Sequence, residues 1–147
     1  MTTATPTPYS PVAEAERTAR LSAAYRLVGA PHYWFTRVSL DTDSMFAARQ
    51  LQAASELLVR EGWAQGAMRT ESGWCLYGAL DRVAVPGAPL AGSIGTALRV
   101  LDLLVDVRTG MRGAAFPKFN DAPGRTVADM LELLADGVVF ACTWEAA

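Results

Sequence analysis

Thr126-Val127-Ala128-Asp129-Met130-Leu131-Glu132-Leu133-Leu134-Ala135-Asp136-Gly137-Val138 is the stretch that decides the fold. A threonine followed three residues later by an acidic side chain approximates a capping box, with Asp129 in place of the usual Glu or Gln. Behind it Val127, Met130, Leu131, Leu134, Val138 and Ala141 recur at three- and four-residue spacing, which predicts a helix with one buried stripe.

The same pattern recurs upstream. A helix over about Leu90 to Val107 would turn Ile94, Ala97, Leu98, Leu101, Leu104 and Val105 inward, and Gly92 and Gly95 would let another helix approach closely. Residues Met45 to Arg60 place Phe46, Ala47, Leu51, Ala54, Leu57 and Leu58 on one face. The run Asp41-Thr42-Asp43-Ser44 offers N-caps before that helix, and Gly62 closes it. A short helix is expected over about Trp74 to Val83, ending before Pro86. A first helix, Val12 to Val28, carries the stripe Val12, Ala15, Ala19, Ala23 and Leu27 and stops at Gly29, with Pro31 barring continuation. Gly110 and Gly113 mark a loop, with Phe116 and Phe119 around Pro117. There is no internal repeat. These readings predict an all-α, single compact domain of about five helices with aromatic-rich loops, spanning 12–147 behind a flexible Thr/Pro-rich tail at 1–11.

At 147 residues, just over half of them hydrophobic, the chain is long enough for one real core. A net charge of -2 gives no basic surface for nucleic acid. Thirteen cations comprise twelve arginines and Lys118 alone. Two cysteines, Cys75 and Cys142, make no disulfide framework, and the first eleven residues have no apolar core of a secretory leader. No apolar run is long enough to span a membrane, since Asp102 and Asp106 interrupt the best candidate. A cytoplasmic location is therefore expected. No cofactor is expected either: phosphate-loop, nucleophile-elbow and HExxH motifs are absent. A metal site is not expected, because His32, Cys75 and Cys142 are scattered.

Candidate chemistry gathers where helices start or stop, since unpaired backbone groups there draw polar side chains together. His32, the only histidine, is the natural proton-transfer group, or a loop histidine packed on aromatics. Asp121 is the other acid/base candidate, with Arg125 setting its charge or clamping an anionic oxygen; the same residues suit turn and cap bonding. Gln65 and Asn120 are neutral groups that can orient a carbonyl or cap a helix end. Tyr33, Trp34, Trp63 and Phe119 suit either an apolar substrate wall or plain core. Cys75 looks like part of a packed helix start, not a nucleophile.

Gly62-Trp63-Ala64-Gln65-Gly66, then Cys75-Leu76-Tyr77-Gly78-Ala79, then Asn120-Asp121-Ala122-Pro123-Gly124-Arg125-Thr126 together resemble a small bacterial single-domain family of unknown function. That family's pattern is Gly-Trp-x-Gln-Gly, Cys-x-x-Gly-Ala, and a Trp-Asn-Asp near Pro-Gly-Arg-Thr. Phe119 stands where the family usually has Trp, and His32 lies outside the matching stretch. The chain is similar to a stand-alone cyclase of polyketide macrolactam biosynthesis, which closes a large ring by dehydration and Michael-type addition. The resemblance implies a cofactor-free cyclase or lyase acting on an apolar small molecule. His32 or Asp121 would then be acid/base, with Arg125 or Gln65 on an enolate oxygen. The alternative is a non-catalytic module binding a ligand or a protein, with a homodimer formed through the Leu90 to Val107 stripe.

Overall fold

A computed structural model of the chain describes residues 10–35, 37–84, 94–111, 113 and 115–144. Among them run six helices and one two-stranded hairpin: α1 (Pro11–Val28), α2 (Arg37–Glu61), β1 (Arg69–Thr70), β2 (Gly73–Trp74), α3 (Leu76–Val83), α4 (Ile94–Thr109), α5 (Phe116–Asp121) and α6 (Val127–Thr143). The all-α expectation holds. α2 lies at the centre, packed on α3, α4 and α6. Leu51, Leu58, Leu101, Leu104, Leu133 and Phe140 are among the fully buried side chains between these helices.

α6 begins as its sequence dictates. The Thr126 hydroxyl accepts from the Asp129 N–H while the Asp129 carboxylate accepts from the Thr126 N–H, completing the capping box. Val127, placed in the expected stripe, is 40% exposed, because it precedes the turn at which α6 meets the core; Met130, Leu134 and Ala141 are buried. Close approach to α6 occurs at Gly137, where an added Cβ would lie 3.0 Å from Leu51 Cδ1 and 3.6 Å from Leu104. Gly95, expected to serve that purpose on α4, has nothing among the described residues within 4 Å of an added Cβ, and Gly92 lies outside the described residues, as do 85–93 generally.

α2 starts eight residues before its expected first residue, Met45. The polar groups read as its caps lie inside the helix, and two of them bond distant partners: Asp41 accepts from the indole of Trp144, just past α6, at 2.8 Å and Asp43 from the Thr96 hydroxyl of α4 at 3.4 Å. Tertiary partners make these side chains compatible with a helix interior.

α1 starts at Pro11, behind the Ser10 N-cap, so these two residues belong to the helix start and not to a tail; residues 1–9 lie outside the described residues. Its expected stripe fails in the first half of the helix, where Val12 is 68% exposed and Ala15 and Ala19 are exposed, while Ala23 is half-buried and Leu27 packs against the core. The buried side carries Ala24 and Val28, with Leu21 and Tyr25 packed against the core. The rotation follows from Asp136 on α6, fully buried, which accepts from Arg17 Nε at 2.9 Å and Arg20 Nε at 2.7 Å and also from Arg108 of α4 at 2.9 Å.

α3 starts at Leu76 and not at Trp74, because Trp74 pairs as strand backbone: its N–H donates to Gly62 O and its carbonyl accepts from Ala64 N–H, both at 3.0 Å. α5 replaces an expected loop. It lacks a side-chain cap of its own; Asp102 of α4 accepts from the Phe116 N–H at 2.8 Å, and burial of Phe116 and Phe119 on one side completes it.

Candidate functional site at the Asn120 junction

Two close backbone approaches build the junction. Gly62 ends α2 with φ +95, and a Cβ there would lie 2.1 Å from Ser72 O; a Cβ on Gly73 would lie 2.0 Å from the Gly62 carbonyl carbon. The hairpin can therefore cross the end of α2 only at glycines. A Cβ on Gly78 would meet Met68 O at 2.2 Å, which binds α3 to β1's approach.

Asn120, 1% exposed, ties the three motifs together. Its Oδ1 accepts from the Trp63 indole at 2.8 Å and from the Leu76 N–H at 3.0 Å. Its Nδ2 donates to Ala64 O at 3.0 Å and to Asp121 Oδ1 at 2.9 Å. An amide side chain has two donors and room for two acceptances, so this one is fully used. It caps the start of α3 from 44 residues away. Cys75 caps the same helix locally, its Sγ accepting from the Gly78 N–H at 3.3 Å, in keeping with the packed helix start expected for it.

Gln65 donates to the carbonyls of Asn120 and Ala122 at 2.9 and 3.0 Å. Asp121 Oδ1 also accepts from the Gly66 N–H at 2.9 Å, while Oδ2 has no hydrogen-bond partner among the described residues. The Arg125 guanidinium lies over the Phe119 ring at 4.0 Å; its Nε is buried and has no hydrogen-bond partner among the described residues. Beside these groups opens a cleft of about 230 Å³, walled by Met68, Cys75, Tyr77, Pro117 and Asp121, with Asn120 behind. Tyr77 stacks on Phe116 and stays 40% exposed.

The expected site residues separate into two groups. Gln65, Asn120 and Asp121 come together here; Arg125 stacks on Phe119 and does not line the cleft, Trp63 packs against the core, and Phe119 is buried, so none of these three walls it. His32, Tyr33 and Trp34 sit in the α1–α2 connection and do not line it. His32 is exposed and adopts φ +63. Tyr33 is buried and donates to Asp106 Oδ2 at 2.5 Å; the Trp34 indole donates to the same oxygen at 3.0 Å. Asp102, one turn before Asp106 on α4, faces a smaller cavity of about 160 Å³ with Trp34. Burial raises its carboxyl pKa, the Phe116 N–H partly offsets this, and the Asp106 charge adds to the rise.

Met68 and Tyr77 were missed from the sequence as cleft walls. A signal existed for Tyr77: Leu76, Ala79 and Leu80 form the buried side of α3 and leave Tyr77 facing outward. Among the described residues no three His, Cys, Asp or Glu side chains gather to hold a metal ion, and no helix is long and apolar enough to cross a membrane.

Residues 42–137, well over half the chain, match the family of unknown function DUF6197, and the chain belongs to that family. The matched segment holds all three motifs and the cleft, and excludes α1 and His32. Nothing in the family's description links it to macrolactam cyclases. No curated protein and no solved structure matches the chain.

Proposed function

We propose that this member of the family is a cofactor-free acid/base cyclase or lyase whose working residue is Asp121. Its substrate would be an apolar polyketide-type intermediate, held where Met68 and Tyr77 border the cleft. One observation carries the reading: Asp121 is fixed through Oδ1 by the Gly66 N–H and the Asn120 amide, while Oδ2 has no partner among the described residues and lies beside an apolar wall. A carboxylate so positioned can take the proton α to a carbonyl and pass it to the β-hydroxyl, which leaves as water; the carboxylate is then free to take a proton from the nucleophile that adds to the enone. It can return that proton to the α carbon after the addition. Arg125, whose guanidinium stacks on Phe119 and whose Nε has no hydrogen-bond partner among the described residues, would be the oxyanion partner on turning toward the cleft. Positioning two ends of one chain contributes up to about 7–11 kcal/mol in well-oriented intramolecular reactions. The proposal makes no use of His32. A cytoplasmic setting fits the two free cysteines.

A second reading, a non-catalytic binding module, is favoured by the cleft's size. At about 230 Å³ it falls below the roughly 300–1,000 Å³ of ordinary ligand pockets and holds one segment of a long chain.

Mass spectrometry of the linear intermediate incubated with wild type, Asp121→Asn and no protein separates the two. A dehydrated or cyclised product with wild type, formed about 10²- to 10⁴-fold more slowly by a folded Asp121→Asn, is expected. Unchanged intermediate recovered in complex with the protein establishes the module. Product formed at the wild-type rate by Asp121→Asn removes Asp121 from the chemistry. The α4 stripe expected to form a homodimer face is instead buried within the chain at Ala97, Leu101, Leu104 and Val105, so a dimer found by sedimentation velocity would use another surface.

A further inference from the structure

At one end of the bundle α1 stops, α2 starts and α6 stops. There Tyr25, Gly29, Arg37, Thr143 and Trp144 line a slot of about 320 Å³ that contains none of the motif residues. Its aromatic walls are held in place. The rings of Tyr25 and Trp144 lie 15° from parallel with centroids 6.0 Å apart, and both pack against Phe140. The Trp144 indole N–H is tied to Asp41 Oδ1 at 2.8 Å, and the Tyr25 hydroxyl to the Thr143 hydroxyl and the Phe140 carbonyl.

The Arg37 guanidinium sits 5.3 Å from the centre of the Trp144 ring, and this ring is its partner among the described residues. Stacking orients the fork, and among the described residues its N–H groups meet no acceptor. Gly29 adds an independent point. Its φ of -86 is open to any residue, and among the described residues a Cβ there would meet only Arg26 O at 3.8 Å and Tyr25 O at 3.9 Å, ordinary contact distances. Neither backbone conformation nor crowding calls for glycine at this position; the missing side chain leaves the slot open.

We infer that this slot binds a planar aromatic carboxylate, its ring against Tyr25 and Trp144 and its carboxylate on the Arg37 fork. Aromatic faces favour a flat ring in offset or stacked contact. The guanidinium matches a carboxylate through two parallel N–H bonds and tolerates an aromatic neighbour. A single fork suits a singly charged planar group better than a phosphate dianion, which calls for more donors.

The test is an NMR titration of ¹⁵N-labelled protein with 1-naphthoate and, separately, with the neutral 1-naphthamide. Saturable shifts at the Gly29 and Thr143 amides and the Trp144 indole are expected with naphthoate, at least tenfold weaker with naphthamide and in Arg37→Gln. Both Arg37 and Gly29 are exposed, so Arg37→Gln and Gly29→Leu should keep the wild-type Tm. Gly29→Leu should abolish the shifts by filling the slot. The inference is overturned by the absence of saturable shifts at these positions, or by equal affinities for acid and amide that Arg37→Gln leaves unchanged.

Discussion

Asn120 illustrates how one side chain serves three motifs. Replacing it with alanine leaves the Leu76 and Trp63 N–H groups and the Ala64 carbonyl without that partner at a site 1% exposed. Each such group costs about 1–3 kcal/mol when it stays buried and unpaired, so Asn120→Ala should lower unfolding free energy by about 3 kcal/mol or more in a urea titration. An Asn120→Ala protein as stable as wild type would contradict this bonding. Gly78→Ala drives a Cβ to 2.2 Å of a backbone oxygen, which neither α3 nor the chain at Met68 can yield cheaply; a loss of about 2 kcal/mol is expected on the scale of overpacked sites. Gly29→Ala, with ordinary contacts only, should stay within about 0.5 kcal/mol in the same assay. The sequence marks Asn120, Asp121 and Gln65 as polar groups at helix ends. Their hydrogen bonds span 44 to 57 residues and so are not legible in local spacing.

α1 shows the limit of reading an element by its apolar period. Ala15 and Ala19 recur at helical spacing on the wrong side, and the orientation is instead chosen by Arg17 and Arg20, which reach Asp136. Burial pushes the Asp136 carboxyl up, but the hydrogen bonds from Arg20 and Arg17 and the charges of Arg20 and Arg108 outweigh it and hold it below the ordinary value near 3.8. The stability this contributes is present above that unfolded value and is lost as pH falls through the lower folded one. Asp102 has the opposite sign. Its folded value is raised, so its contribution is present below about 3.8 and is lost as pH rises through the folded value. Denaturation curves over acid to neutral pH should therefore flatten on the acid side in Asp136→Asn and above about pH 3.8 in Asp102→Asn. Asp136→Asn should also cost about 3–5 kcal/mol at pH 7, the usual effect of removing one partner from a buried ion cluster, with α1 amides exchanging fastest. Asp102→Asn keeps an acceptor for the Phe116 N–H and should be at least as stable as wild type at pH 7; a large loss there would refute the assigned role of burial.

At the scale of the whole molecule, α2 and α6 form the centre, and Gly137 sets how closely they meet. Gly137→Leu would force a branched side chain against Leu51, Leu104 and Val100; a loss of about 1–3 kcal/mol and parallel acceleration of the slowest-exchanging amides of α2 and α6 are expected. Unequal acceleration of the two helices would show that they do not unfold as one unit. The helical class, the capping box of α6, the inward faces of α2 and α4 and the junction status of the three motifs were set by the sequence alone, because cap chemistry and apolar period act within a few residues along the chain. Tertiary structure alone decided the side α1 buries, the eight residues added to the start of α2, the formation of α5, and the separation of His32 from Asp121. Each depends on a partner distant in sequence: Asp136 for α1, Trp144 and Thr96 for the start of α2, Asp102 for α5, and Asp106 for the loop that carries His32. Local spacing carries no record of such partners, since a polar side chain inside a helix reads alike whether it faces water or a buried arginine.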